Sequence, residues 1–124
     1  MSRILIVEDD PLIAMMLEDW LADMGHETVG PANSLDAAMK ILDRENFDVA
    51  VLDVNLRGLR SDAVADALIA RGIPFAFATG GSSETVEPRF SGIAAVAKPY
   101  DFDTIRSLTE MLTSEPNGDR RIAC

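Results

Sequence analysis

Apolar residues in this chain come in short blocks of two kinds, and the kinds alternate. "RILIV" (Arg3–Val7) is a run with no polar face, the pattern of a strand covered on both sides. "PLIAMMLEDWLADMG" places Leu12, Ile13, Met16, Leu17, Trp20, Leu21 and Met24 at spacings of one, three and four, one face of a helix. Asp10 is its expected N-cap, Pro11 its first residue and Gly25 its stop; the Met15–Leu17 run reads as core. His26–Gly30 is a weak edge strand. Ser34 caps a second helix whose inward positions are Leu35, Ala38, Met39 and Leu42. Phe47–Asp53 is the second strongly buried strand. A helix over Ser61–Gly72 follows, with Val64, Ala65, Leu68 and Ile69 inward, then a strand over Ile73–Thr79. A last strand (Gly92–Lys98) and a last helix end the pattern, the helix directing Phe102, Ile105, Leu108, Met111 and Leu112 inward.

Strand and helix thus alternate about five times, which implies a parallel sheet covered on both faces. The 124 residues suffice for one domain. Residues 1–113 are assigned to it and 114–124 to a flexible tail. In such sheets ligands gather at the carboxyl ends of the strands. Those ends carry Glu8-Asp9-Asp10, Asp53, Thr79-Gly80 and Lys98-Pro99, with Asn55 just past Asp53.

Composition narrows the chemistry. A net charge of −10 opposes a nucleic-acid partner, whose phosphates call for Lys and Arg. No apolar run is long enough for a membrane span and no signal peptide is evident, so the expected location is cytoplasmic. The single cysteine, Cys124, has no partner for an internal disulfide. Crowded carboxylates repel unless a proton or cation intervenes, and Mg²⁺ favours such oxygen donors. An aspartate can act as nucleophile toward phosphorus, with a metal, an ammonium and a hydroxyl neutralising the transferred group. Asp53, Mg²⁺, Lys98 and Thr79 would supply those parts. His26, the single histidine, stands in a predicted turn and is expected neither to ligate nor to catalyse.

"ILIVEDD", "AVLDVNLRG", "FAFATGG" and "VAKPY", in this order and each closing a strand, resemble the signature segments of response-regulator receiver domains. The resemblance spans about residues 3–113. It implies an α/β, flavodoxin-like, doubly wound five-stranded parallel sheet in the order 2-1-3-4-5 with five helices. It also implies roles: Asp53 as phosphoacceptor, Asp9 as direct Mg²⁺ ligand, and Glu8 acting on the metal through water. Asn55 would offer its backbone carbonyl to the metal. Thr79 and Lys98 would hold phosphoryl oxygens, Gly80 would leave the backbone there uncrowded, and the Lys98-Pro99 bond would be cis. The implied function is that of a receiver without an output domain, taking phosphate from a histidine kinase or phosphotransfer protein and signalling through protein contacts.

Three departures stand out. Ala95 occupies the position of the usual switch aromatic. Lys98 follows Thr79 by only 19 residues, and Pro88 interrupts the span, so the fourth helix should be short, displaced or mobile. With little apolar content, Gly80–Gly92 is expected to order on phosphorylation. Arg57 stands where many receivers carry proline. With "PFAFATGG" and Tyr100 it resembles the FAT GUY subgroup, whose members partner HWE or HisKA2 histidine kinases. Two alternatives compete. A phosphatase of the haloacid-dehalogenase type would want an acid where Asn55 stands. A phosphorylation-independent binding module would not require Asp9, Asp53, Thr79 and Lys98 together.

Overall fold

A computed structural model describes residues 2–80 and 86–114. Its elements in chain order are β1 (Arg3–Val7), α1 (Pro11–Asp23), β2 (Glu27–Ala32), α2 (Leu35–Arg44), β3 (Val49–Asp53), β4 (Asn55–Leu56), β5 (Leu59–Arg60), α3 (Asp62–Ala70), β6 (Phe75–Thr79), a 3₁₀ turn (Pro88–Phe90), β7 (Ala94–Ala97) and α4 (Phe102–Ser114). Five strands form one parallel sheet in the order β2-β1-β3-β6-β7. This is the expected 2-1-3-4-5 arrangement, since β4 and β5 belong to a separate small hairpin that the apolar pattern did not reveal.

Strand alternation sorts the core into two layers. Leu5, Val7, Ala50 and Leu52 face the side packed with Ala38, Leu42, Val64 and Leu68 of α2 and α3. Ile4, Ile6, Val49 and Val51 face Leu17 and Leu21 of α1 and Ile105 and Leu112 of α4. No helix among the described residues is long and apolar enough to cross a membrane.

The caps are built as their sequences require. Asp10 accepts the N–H groups of Leu12 (2.9 Å) and Ile13 (3.4 Å), Ser34 that of Ala37 (3.1 Å) and Asp101 that of Thr104 (2.8 Å). The edge strand runs two residues further than expected, through a cis Gly30-Pro31 peptide to Ala32. Gly30 is required there: its φ is +92°, and a Cβ would come within 2.8 Å of the Ala32 nitrogen and 3.0 Å of the Ile6 carbonyl oxygen.

Several apolar residues expected inside lie outside. Leu12 is 74% exposed and Met15 53%, and Met39 and Met111 are also exposed. Each helix buries only the narrow stripe touching the sheet (Ala14, Leu17 and Leu21 in α1), and Leu12 in the first turn stands above the strand ends. Four α-helices are present among the described residues, not five. The place of the fourth holds the 3₁₀ turn, where the chain before Pro88 cannot continue a helix. The second half of Gly80–Gly92 carries one anchor in the core. Phe90 is 1% exposed, with its ring 5.5 Å from that of Phe77. Arg89 lies over Phe90 and pairs with Asp66 at 2.8 Å. Residues 81–85 of that segment, and the tail from residue 115, lie outside the described residues.

Candidate functional site

Three consecutive acids leave β1 in three directions. Glu8 turns inward and is 2% exposed; its Oε2 accepts the Asp10 N–H at 3.0 Å. Asp9 sits half-buried at the rim, and Asp10 caps α1. On the neighbouring strand Asp53 is the last residue of β3 and is 3% exposed. Register brings Lys98 to this pair: Thr79 lies opposite Ala97, and the Lys98 N–H donates to the Thr79 carbonyl at 2.8 Å. The Lys98 ammonium then reaches Glu8 Oε1 at 2.8 Å and Asp53 Oδ1 at 3.0 Å. Both contacts are ion pairs. Glu8 Oε1 otherwise lacks a hydrogen-bond partner, and Asp53 Oδ2 and the Tyr100 hydroxyl are buried with none.

One ammonium therefore faces two buried carboxylates. Burial pushes the Asp53 carboxyl up from 3.8 to about 8, helped by the neighbouring Glu8 carboxylate and opposed by Lys98. Burial alone would lower the Lys98 pKa, but its contacts with Glu8 and Asp53 win and raise it. The Tyr100 phenol is pushed well above its ordinary value, first by burial and then by the charges of Glu8 and Asp53.

Glu8, Asp9 and Asp53 each offer one oxygen, all within 4.8 Å of one another. The donor set is all hard oxygen, and Asp53 Oδ2 is a buried acceptor that no protein group satisfies. Both features fit Mg²⁺, which binds through one or two carboxylates and keeps several waters.

The other expected residues lie on the same rim. Asn55 opens the hairpin two residues past Asp53 and pairs in register with Arg60. Thr79 ends β6, one residue past Ala78, the register partner of Asp53. Gly80 follows it and is exposed. The Lys98-Pro99 peptide is cis. Ala95 lies opposite Phe77 on β6 and is exposed. His26 lies away from this rim: its Nδ1 accepts the Ser2 N–H at 3.1 Å near the other end of the sheet.

Three participants escaped the sequence reading. The fully buried Ser61 hydroxyl donates to the carbonyls of Asp53 and Val54, the latter at 3.0 Å, and so fixes the end of β3. In sequence it looks like an ordinary helix cap. The Arg57 N–H donates to Asp9 Oδ2 at 2.8 Å, a backbone contact with no side-chain signature. Tyr100 enters the sequence reading only through the subgroup resemblance, with no place beside Glu8 and Asp53.

Comparison with known proteins identifies relatives of this chain. Residues 4–110 match the family described as the response regulator receiver domain. The phyllosphere-induced regulator PhyR of Methylorubrum extorquens is 36% identical over 131 residues, covering 98% of this chain and 48% of the relative. The chain spans about half the length of the first curated relatives it matches. Among solved structures, SdrG from Sphingomonas melonis Fr1 is 46% identical with a TM-score of 0.79, covering 86% of this chain and 92% of SdrG. TrrA from Thermotoga maritima, a response regulator solved with Mg²⁺ and BeF, is 25% identical with a TM-score of 0.79, covering 90% and 99% of the two chains.

Proposed function

The chain belongs to the response regulator receiver family, a family of signalling regulators rather than classical enzymes, and on that premise we propose that Asp53 is its phosphoacceptor. The observation that carries this reading is the buried carboxylate at the end of the central strand, paired through one oxygen to Lys98 and unpartnered at the other. A carboxylate oxygen of Asp53 attacks the phosphorus of a phosphohistidine. The O–P bond forms as the N–P bond breaks, and the imidazole departs with the electron pair. Water later hydrolyses the aspartyl phosphate.

The neighbouring residues divide the remaining work. Lys98 neutralises an oxygen of the phosphoryl group once its pairing with Asp53 is exchanged. The Thr79 hydroxyl and the backbone at Gly80 supply donors on the side of β6. Asp9, Asp53 and the Asn55 carbonyl would hold Mg²⁺ directly and Glu8 through water. Bound there, the metal neutralises the acidic set and the incoming phosphoryl oxygens. The finer partner reading is a sensor histidine kinase of the HWE or HisKA2 type, or a phosphotransfer protein. The resemblance of "PFAFATGG", Arg57 and Tyr100 to the FAT GUY subgroup supports it. The signal then passes by protein contact.

The test is phosphorylation by acetyl phosphate or by a phosphorylated kinase. Wild-type protein should take up an acid-stable, base-labile label that requires Mg²⁺, and Asp53→Asn should take up none. Undiminished labelling of the variant, or normal transfer in excess chelator, overturns the reading.

A further inference from the structure

The turn after β3 does more than lead the chain into α3. Leu56 and Leu59 pair across a two-residue loop, Arg57-Gly58, with φ of 51° and 83°. This is the left-handed pair that a tight hairpin of the primed type demands. Glycine meets the demand without strain, whereas arginine in this region is uncommon. The buried Leu56 side chain anchors the hairpin in the core.

The conformation aims the Arg57 N–H at Asp9 Oδ2, 2.8 Å away. The guanidinium reaches in another direction, its Nε donating to the Asn33 carbonyl at 2.9 Å. One residue thereby ties together the loops that follow β1, β2 and β3, three neighbours in the sheet. Of the three clustered acids, Glu8 and Asp53 are held by burial and by Lys98, whereas Asp9 is half-exposed. Like-charge repulsion would turn it outward into water. The Arg57 N–H opposes that rotation. A carboxylate has two oxygens, so an N–H on Oδ2 leaves the other available to a cation.

We infer that Arg57 is a positioning residue for divalent-cation binding: its left-handed backbone N–H holds Asp9 against Glu8 and Asp53, and its side chain fixes the turn to the loop after β2. The inference rests on the proposed reading of the acidic cluster as a Mg²⁺ site. Hydrogen-bond partners behind a metal ligand orient it, and their loss typically costs about 10–100-fold in affinity.

The experiment is a Mg²⁺ titration of the full chain followed by amide NMR, on wild type, Arg57→Pro and Arg57→Gly. Proline removes the N–H and cannot adopt a positive φ. Glycine keeps the N–H and adopts that φ readily. Arg57→Pro should bind Mg²⁺ about 10–100-fold more weakly. Arg57→Gly should stay within about threefold of wild type, since it loses only the side-chain tie to Asn33. A hairpin disrupted by proline is controlled for by a measurement on unmodified protein. The Arg57 amide, though in an exposed turn, should exchange slowly with solvent, and Asp9→Ala should release it. Equal affinity of the proline variant and wild type overturns the inference alone. So does a glycine variant as weak as the proline one, or rapid exchange of the wild-type amide. A wild-type protein that binds no Mg²⁺ overturns the reading of the site and this inference with it.

Discussion

The two ends of the sheet carry the same kinds of charge and treat them in opposite ways. At the amino end Arg3 contacts Glu27 at 3.3 Å and Glu45 at 3.5 Å, its guanidinium also donates to the Asn46 carbonyl, and its N–H donates to Asp48 at 2.7 Å. The acidic partners Glu27 and Glu45 are about half exposed, so water shares the load. At the carboxyl end the side chains of Glu8 and Asp53 are 1% and 4% exposed and share the ammonium of Lys98. The first arrangement is a solvated surface network of small net value. The second sets two buried carboxyls against a single ammonium, an arrangement that is costly and keeps the proton on Asp53 up to about pH 8.

Breaking the buried side should have the largest effect. Lys98→Ala leaves two buried carboxyls without their cation and should lower stability by about 2–4 kcal/mol at pH 8, measured by urea unfolding. The loss should shrink at pH 5, where a proton on the carboxyl pair relieves the repulsion. An equal loss at both pH values would mean that Lys98 acts through packing of its stem.

Removing the second buried carboxyl should do the reverse. Asp53→Asn keeps the shape and deletes the group that is hardest to ionise, so the metal-free variant should gain about 1 kcal/mol, roughly 3–6 °C in melting temperature for a domain of this size. A lower melting temperature would show that the Lys98–Asp53 pair is net favourable.

The same carboxyl sets a pH slope. The folded Asp53 carboxyl holds its proton to about pH 8, whereas in the unfolded chain it loses it near 3.8. Between these values the folded state binds more protons, so stability falls as pH rises from about 4 to about 8. Asp53→Asn should flatten this segment of the curve; an unchanged slope would place the titration elsewhere. Lys98 adds a contribution that is present below its ordinary pKa and is lost only at strongly alkaline pH.

The smallest effect belongs to the other end. Arg3→Ala should cost under about 1 kcal/mol, and the cost should shrink further in 0.5 M salt. A loss as large as that of Lys98→Ala would erase the distinction between the two ends.

The sequence by itself determined the alternation of strands and helices, the caps at Asp10 and Ser34, and the chemistry gathered at the strand ends. The first two depend on residues within a turn or two of one another, so periodicity and capping reveal them; the third follows from where the strands of a parallel sheet stop. The tertiary structure alone decided which of three consecutive acids turns inward, that Phe90 anchors against Phe77, and that Leu12 and Met111 face water. It also decided that the Arg57 N–H meets Asp9 and the Ser61 hydroxyl meets the end of β3. These outcomes join residues on different elements, and their distances follow from strand register and the limited width of sheet that each helix covers. Lys98 reaches Asp53 because Thr79 lies opposite Ala97 across two strands, a pairing that no local pattern encodes.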